Sequence, residues 1–357
     1  MGKRTPLYDS HARAGAKLVD FAGWDMPIHY GSQLEEHFHV RRNAGMFDVS
    51  HMLAVDLTGE EVAPLLAHLL ANDVAKLKQA GRALYSCMLN PAGGVIDDLI
   101  VYYFNPEHYR LVVNAGTADK DLAWIVRQAE PYAVELNPRH DLAMIAVQGP
   151  QARERLWQAY PATREKSERL APFFAAFDGD WLIARTGYTG EDGFELALPA
   201  DQASDVWATL AACAVAPCGL GCRDTLRLEA GMNLYGQDMD EGVTPLESGL
   251  AWTVALDSDR DFVGKNALLT QKRTRQLIGL VLAERGVLRA HQRVETEQGA
   301  GEITSGGYSP TLERGIALAR LPAATTVGAV VRVDIRGKLH DARVVKPPFV
   351  RNGKAMV

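Results

Sequence analysis

The chain has 357 residues, enough for two or three domains rather than one core, and its balance of 47% hydrophobic and 23% charged residues is that of a soluble globular protein. A net charge of −6 supplies no global field for nucleic acid, so any anionic partner would need a local basic patch. No apolar signal core opens the sequence, and the longest apolar run, "LIVYYF", is far too short to span a bilayer.

From the N-terminus, "HFHVRRNAGMFDVSHM" offers His37, His39 and His51. His37 and His39 diverge on a helix and have no acid or cysteine at a ligand spacing, so a metal site is disfavoured, and Met52 reads as core. Val62, Leu65, Leu66 and Leu69, and again Leu122, Ile125, Val126 and Ala129, recur at helical spacing and predict two core-facing helices. Between and after them, "MLAVDLTG", "YRLVVNAG", "LAMIAVQG", "WLIARTG" and "FELALP" predict strands. No glycine-rich strand-to-helix turn of a dinucleotide fold joins them, which points to α+β architecture with antiparallel sheets.

"GGVIDDLIVYYF" puts Asp97 and Asp98 side by side in an otherwise apolar strand. Alternation gives Asp98 the face of Ile96, Ile100 and Tyr102, and Asp97 the face of Val95, Leu99 and Val101. A carboxylate in such a setting is either paired structurally or poised for a ligand. "ARTGYTGEDGFELALP" reads as a hairpin with Tyr188 displayed in a glycine-rich connection and with Phe194, Leu196 and Leu198 on the face opposite Glu195. On pattern alone it is a surface turn with a solvated Glu195, although a carboxylate beside small residues and an aromatic also suits a flat ring bearing N–H donors.

"GCRDTLRLEAGMNLYGQDM" begins as a helix and stops at Gly231. Arg223 and Arg227 share a face, where such pairs usually form surface ion pairs, though a position near the helix start also suits an anionic partner. The four cysteines form no CxxC pair, and Cys218 and Cys222 read as small packing residues in a reducing compartment. After a polar connector carrying a short helix, "LIGLVLAE", "GEITSGGYSP", "GIALARL", "GAVVRVDI" and "HDARVVK" predict a small all-β barrel or sandwich. The expected division is a core at 1–275 and a β-rich domain at 276–357.

Taken together, "TPLYDSH", "FAGWDMPIHY", "AGMFDVSHM", "GGVIDDLIVY", "TGYTGEDGFEL", "RDTLRLEAGMNLYGQDMDE" and "PFVRNGK" resemble one family from about residue 5 to residue 353: the aminomethyltransferases, or T proteins, of the glycine cleavage system. The resemblance implies two interwoven α/β subdomains around a central folate channel, with a barrel-like C-terminal domain. It implies a tetrahydrofolate-dependent aminomethyltransferase that moves the methylene carbon of an aminomethyl group from the lipoyl arm of a carrier, the H protein, to tetrahydrofolate. The products would be 5,10-methylenetetrahydrofolate, ammonia and the dihydrolipoyl carrier. Since the carbon is already at the formaldehyde oxidation level, no metal or redox cofactor is needed.

By the same resemblance Asp98 orients the folate near its reactive nitrogens and assists proton movement, Glu195 binds the pterin, Tyr188 is an aromatic wall, and Arg223 contacts the folate. Met52, Tyr85, Val112, Asn114 and Trp252 fall where the family lines the pocket, and Arg289 falls toward the entrance. Tyr85 stands where some members carry leucine, and Arg351 lies in a stretch that varies among members. The carrier should dock transiently on a local basic patch in the cytoplasm, with neither nucleic acid nor membrane as partner. The alternatives of the same fold are a folate-binding regulator and an iron–sulfur-maintenance protein; the latter carries a cysteine where this chain reads Thr186, Gly187, Tyr188.

Overall fold

A computed structural model describes residues 2–357, which divide into two compact units. The first comprises residues up to Leu69, Val74–Tyr85 and Leu99–Asp224; the second comprises Leu70–Asp73, Ser86–Asp98 and Thr225–Val357.

The first unit is built on a six-stranded sheet in the order Ala175–Asp178, Trp181–Ala184, Gly193–Pro199, Leu142–Gln148, Gly45–Asp48, Ala216–Pro217. The pairings are antiparallel except the last, in which Ala216 and Pro217 run parallel to Gly45 and Met46. Strand alternation sends Phe194, Leu196 and Leu198 into a core with Ile145, Val147, Trp157 and Trp207. Burying each such side chain stabilises the fold by about 1.5–3 kcal/mol, and the same alternation leaves Glu195 on the opposite face, only partly covered.

A second, five-stranded sheet runs Ala83–Leu89, Val95–Asn105, His108–Val113, Leu53–Thr58, Glu135–Pro138. In its strand Val95–Asn105 the odd-numbered face, Val95, Asp97, Leu99 and Val101, is wholly buried, whereas Asp98 and Ile100 are partly open. The helix at Val62–Leu69 buries all four of its spaced apolar residues. The helix Ala118–Ala129 departs from expectation: its buried side is Asp121, Ile125 and Ala129, and Val126 faces out at 48% exposure. A fully buried Asp121 rotates that stripe toward the i, i+4, i+8 row.

In the second unit a closed six-stranded barrel has the order Arg275–Leu282, Arg314–Pro322, Gly299–Ser309, Arg293–Thr296, Val330–Ile335, Lys338–Val345. Leu280 and Leu282, Ala317 and Ala319, Val331 and Val333, Ala342 and Val344 point inward at period two. Ile316 and Leu318, on the outer face, are covered by Leu228, Phe349 and Val350, which explains why "GIALARL" is apolar on both faces. The register slips between Ile303 and Ser305, and the bulge aims the hydroxyls of Thr304 and Ser305 at Asp238. Among the described residues no helix is long and apolar enough to cross a membrane.

Candidate functional site

In the first unit, Glu195, Tyr188 and Arg223 come together. Glu195 lies on Gly193–Pro199 between Ala146 and Ala184, small neighbours that leave the carboxylate room. Thr186 Oγ1 donates to Glu195 Oε2 at 2.6 Å, and the Tyr102 hydroxyl lies 3.2 Å from Thr186 Oγ1. The Arg223 guanidinium stands 4.9 Å from the Tyr188 ring centroid and 5.8 Å from that of Phe47. Its Nη1 is buried without a hydrogen-bond partner. Burial pushes the Arg223 pKa down, opposed by the negative charge of Glu195.

The glycine-rich loop carrying Tyr188 is fastened on three sides, so it is not the solvated surface turn that its composition suggests. Gln148, fully buried at the end of its strand, donates to the Thr186 carbonyl at 3.0 Å and accepts from Thr189 Oγ1 at 2.9 Å. Arg41 donates to the Thr189 carbonyl at 2.8 Å and to Glu191 at 2.7 Å, and Arg185 grips Asp192 with two bonds of 2.8 and 2.7 Å. A Cβ at Gly187 would lie 1.9 Å from Gln148 Oε1, so only glycine lets the loop close on that amide. The loop is therefore held in place before any ligand arrives.

His51 is buried, edge-on to Phe21 at 5.6 Å, with Nδ1 lacking a hydrogen-bond partner. Burial lowers its pKa to about 4, with Arg223 adding to the fall and Asp48 opposing it, so the imidazole is neutral near pH 7. Asp48 itself accepts from His11 Nε2 at 2.9 Å, Thr5 Oγ1 at 2.6 Å and the Ser50 amide at 2.9 Å. Burial acts to raise its pKa, but those bonds hold it below the usual carboxylate range. With His11 Nε2–H directed at Asp48, the Tyr30 hydroxyl donates to His11 Nδ1 at 2.7 Å.

Val112 pairs with Ala54, and Met52 and Asn114 flank the neighbouring rung Leu53–Val113. Tyr85 lies half-buried on Ala83–Leu89.

The other sequence-selected residues belong to the second unit. Asp98 is close enough to Cys87 to raise that thiol's pKa, an effect second to burial. Thr253 gives its own proton to the Leu250 carbonyl at 2.7 Å, so Cys87 donates to Thr253 Oγ1 across 3.8 Å. Trp252, in the turn Ala251–Thr253, is 64% exposed. Arg289 is exposed, its amide donating to Gln292 Oε1 at 2.9 Å, and Arg351 is exposed on a short two-residue strand.

Arg227 does not make the surface ion pair that its spacing suggests. It is buried and donates to Asp238 at 3.0 Å and Ser305 at 3.1 Å. Cys218 and Cys222 are buried free thiols. Burial raises the Cys222 pKa, and the neighbouring Cys218 raises it further.

Sequence reasoning missed Thr186, Gln148 and His51 as members of this cluster, and placed Tyr102 on the face of Asp98 without its link to Thr186. One signal was available for Gln148: a lone amide closing the apolar strand Leu142–Gln148.

The chain matches the GCVT N-terminal domain over residues 7–258 and the glycine cleavage T-protein C-terminal barrel domain over residues 275–351. It is 61% identical to an aminomethyltransferase of Nitrosomonas europaea over 100% of both chains. It is likewise 61% identical to an aminomethyltransferase of Bordetella petrii, over 99% of this chain and 98% of that one. The crystal structure of glycine cleavage system aminomethyltransferase T from Bartonella henselae superposes with a TM-score of 0.93 at 35% identity, covering 99% of each chain. A closed barrel following antiparallel α/β sheets, and agreement over the whole length, assign the chain to the family of glycine cleavage T proteins, the aminomethyltransferases.

Proposed function

We propose that the Glu195, Tyr188 and Arg223 cluster binds tetrahydrofolate and that Asp98 handles protons during carbon transfer from a lipoyl carrier. The observation that carries this reading is Arg223. It is a cation stacked on an aromatic ring, with one buried N–H donor lacking a protein acceptor. Such a guanidinium is half satisfied, and a flat ligand with an acceptor edge would complete it.

Glu195 complements it. One carboxylate oxygen is engaged by Thr186, and a carboxylate accepts two parallel hydrogen bonds from an amino group and an adjacent ring N–H, as on a pterin. Tyr188 offers its face to the ring, and the family resemblance assigns Met52, Tyr85, Val112, Asn114, Trp252 and Arg289 to the folate. These residue types fit a reduced folate. Bound tetrahydrofolate supplies the amine that receives the carbon.

Asp98 is assigned the proton work: its carboxylate orients the folate amine and takes or returns a proton as two C–N bonds to the folate form and the carbon's bonds to the departing ammonia nitrogen and the carrier's sulfur break. The neighbouring Cys87 thiol stays protonated, so it adds no second negative charge to that of Asp98. Positioning supplies much of the acceleration, because the amine is already a competent nucleophile. The carrier is a lipoylated H protein bound transiently on a basic patch, and the chain works in the cytoplasm. Residues 1–275 form the aminomethyltransferase core and 276–357 the barrel domain, a division supported by the first barrel strand starting at Arg275.

The test is an assay of this chain with aminomethylated carrier and tetrahydrofolate, following methylenetetrahydrofolate and ammonia together. Equal formation of both is expected. Folate binding without transfer would overturn the catalytic reading.

A further inference from the structure

We propose that Thr186 and Tyr102 are positioning residues for the co-substrate: a one-way chain of hydroxyl donors that fixes one oxygen of Glu195 and turns the carboxylate toward a ring bearing two adjacent N–H groups. The proposal rests on the reading of Glu195 as the pterin-binding carboxylate.

Proton counting gives the chain its direction. Thr186 has one hydroxyl proton, and at 2.6 Å from Glu195 Oε2 it is committed to the carboxylate. The contact of 3.2 Å between Tyr102 and Thr186 then requires the phenol to donate. Burial raises the Tyr102 pKa, and the negative charge of Glu195 raises it further, so the phenol keeps the proton it must give. Tyr102 is 3% exposed and Thr186 7%, so water competes poorly for either hydroxyl.

The backbone beneath the chain is equally constrained. The Thr186 carbonyl is taken by Gln148, and Gly187 cannot carry a side chain. The backbone of Thr186 therefore cannot shift away from Glu195 without releasing the loop. Of the charged and titratable groups around the carboxylate, Arg223 is a cation with no acceptor for the proton of Thr186, Tyr102 keeps its own proton, and Tyr188 stacks on Arg223.

The consequence is specificity. A carboxylate whose Oε2 is anchored presents its remaining lone pairs in one plane, which suits an amino group beside a ring N–H. A ligand lacking that amino group leaves an acceptor unpaired. The native site should therefore discriminate tetrahydrofolate from its 2-desamino analogue, and loosening the anchor should erode that discrimination.

The experiment compares the full chain with Thr186→Val, Thr186→Ser, Tyr102→Phe and Glu195→Gln. It measures equilibrium binding of tetrahydrofolate and of the 2-desamino analogue, together with KM and kcat. The expected result is a roughly tenfold loss of tetrahydrofolate affinity in Thr186→Val, in KM more than kcat, and a loss of about threefold in Tyr102→Phe. Thr186→Ser should stay within about twofold of the native protein, and the analogue should bind Thr186→Val almost as it binds the native chain. A native protein that does not distinguish the two ligands, with Glu195→Gln binding normally, would defeat the reading of Glu195 itself. Discrimination intact in Thr186→Val would defeat the proposed chain alone. Should Thr186→Val fail to fold, Tyr102→Phe decides: unchanged affinity and unchanged discrimination there overturn the proposal.

Discussion

Arg223 holds its guanidinium 4.9 Å from the ring of Tyr188, yet buries Nη1 with no acceptor beside it. The stack fixes the plane of the cation and leaves Nη1 without a protein acceptor, the donor proposed to meet the folate. Lysine would keep the charge and lose both the plane and the fork. Arg223→Lys is expected to lower tetrahydrofolate affinity by about 1–2 kcal/mol, with the fold retained by circular dichroism; native affinity in a binding titration would remove Arg223 from the site.

Asp97 and Asp98 should separate cleanly. Asp98→Asn should keep tetrahydrofolate affinity within a few-fold while turnover falls by roughly 10²–10⁴. Asp97, fully buried, should act on the fold instead: Asp97→Asn is expected to destabilise by about 1–3 kcal/mol and to leave kcat near native. Steady-state kinetics beside urea midpoints distinguish the two, and equal loss of turnover in both variants would refute the division.

Acid should weaken the fold in two windows. His51 has a folded pKa of about 4, below its unfolded value, so the unfolded chain binds the extra proton as pH falls from the ordinary histidine range toward 4. Stability therefore declines across that window and stops declining below it, by at most about 3 kcal/mol at 1.36 kcal/mol per pKa unit. Asp48, whose folded pKa is lowered, contributes stability above the unfolded carboxylate value that is lost as pH falls through the folded one. His51→Gln should flatten the upper window and spare the lower; an unchanged profile would contradict the assignment.

Arg227 and Asp238 form a buried pair 3.0 Å apart, and Asp238 also accepts from Ser305 at 2.8 Å and from the Leu234 amide at 2.9 Å. Arg227→Leu removes the guanidinium that pairs directly with the buried Asp238 carboxylate, leaving it neutral donors and the charge of Arg320, which donates to the Asp238 carbonyl. A loss of about 3–5 kcal/mol is expected, read as a fall in the denaturant midpoint; a loss below about 1 kcal/mol would show the pair to be incidental.

The features legible in the sequence are those with a period. Alternation put Phe194, Leu196 and Leu198 opposite Glu195, and Asp97 opposite Asp98, and both hold. The barrel was visible in its paired inward residues, but the strand Arg293–Thr296 was not, because only Val294 is buried among polar and charged neighbours. Val126 misled because the apolar spacing of its helix takes no account of a buried Asp121. Thr186 meets Tyr102 across 84 positions of chain, and no local pattern records a contact of that span. The chemistry itself came from long motifs resembling a family. Composition and spacing alone left Glu195 a solvated turn residue and Arg227 a surface one.

The chain passes between the two units at 69/70, 73/74, 85/86, 98/99 and 224/225. During synthesis on the ribosome, the first unit has all its residues once Asp224 has emerged. Ser86–Asp98, translated long before, must wait for the segment beginning at Thr225. A nascent chain thus owns its Asp98 early and a finished environment for it only at the end. A message truncated at Asp224 would carry Ser86–Asp98 without the later partners Tyr235, Asp240, Val243 and Thr253 of that segment, and no single split of the gene could separate the units into independently inherited parts.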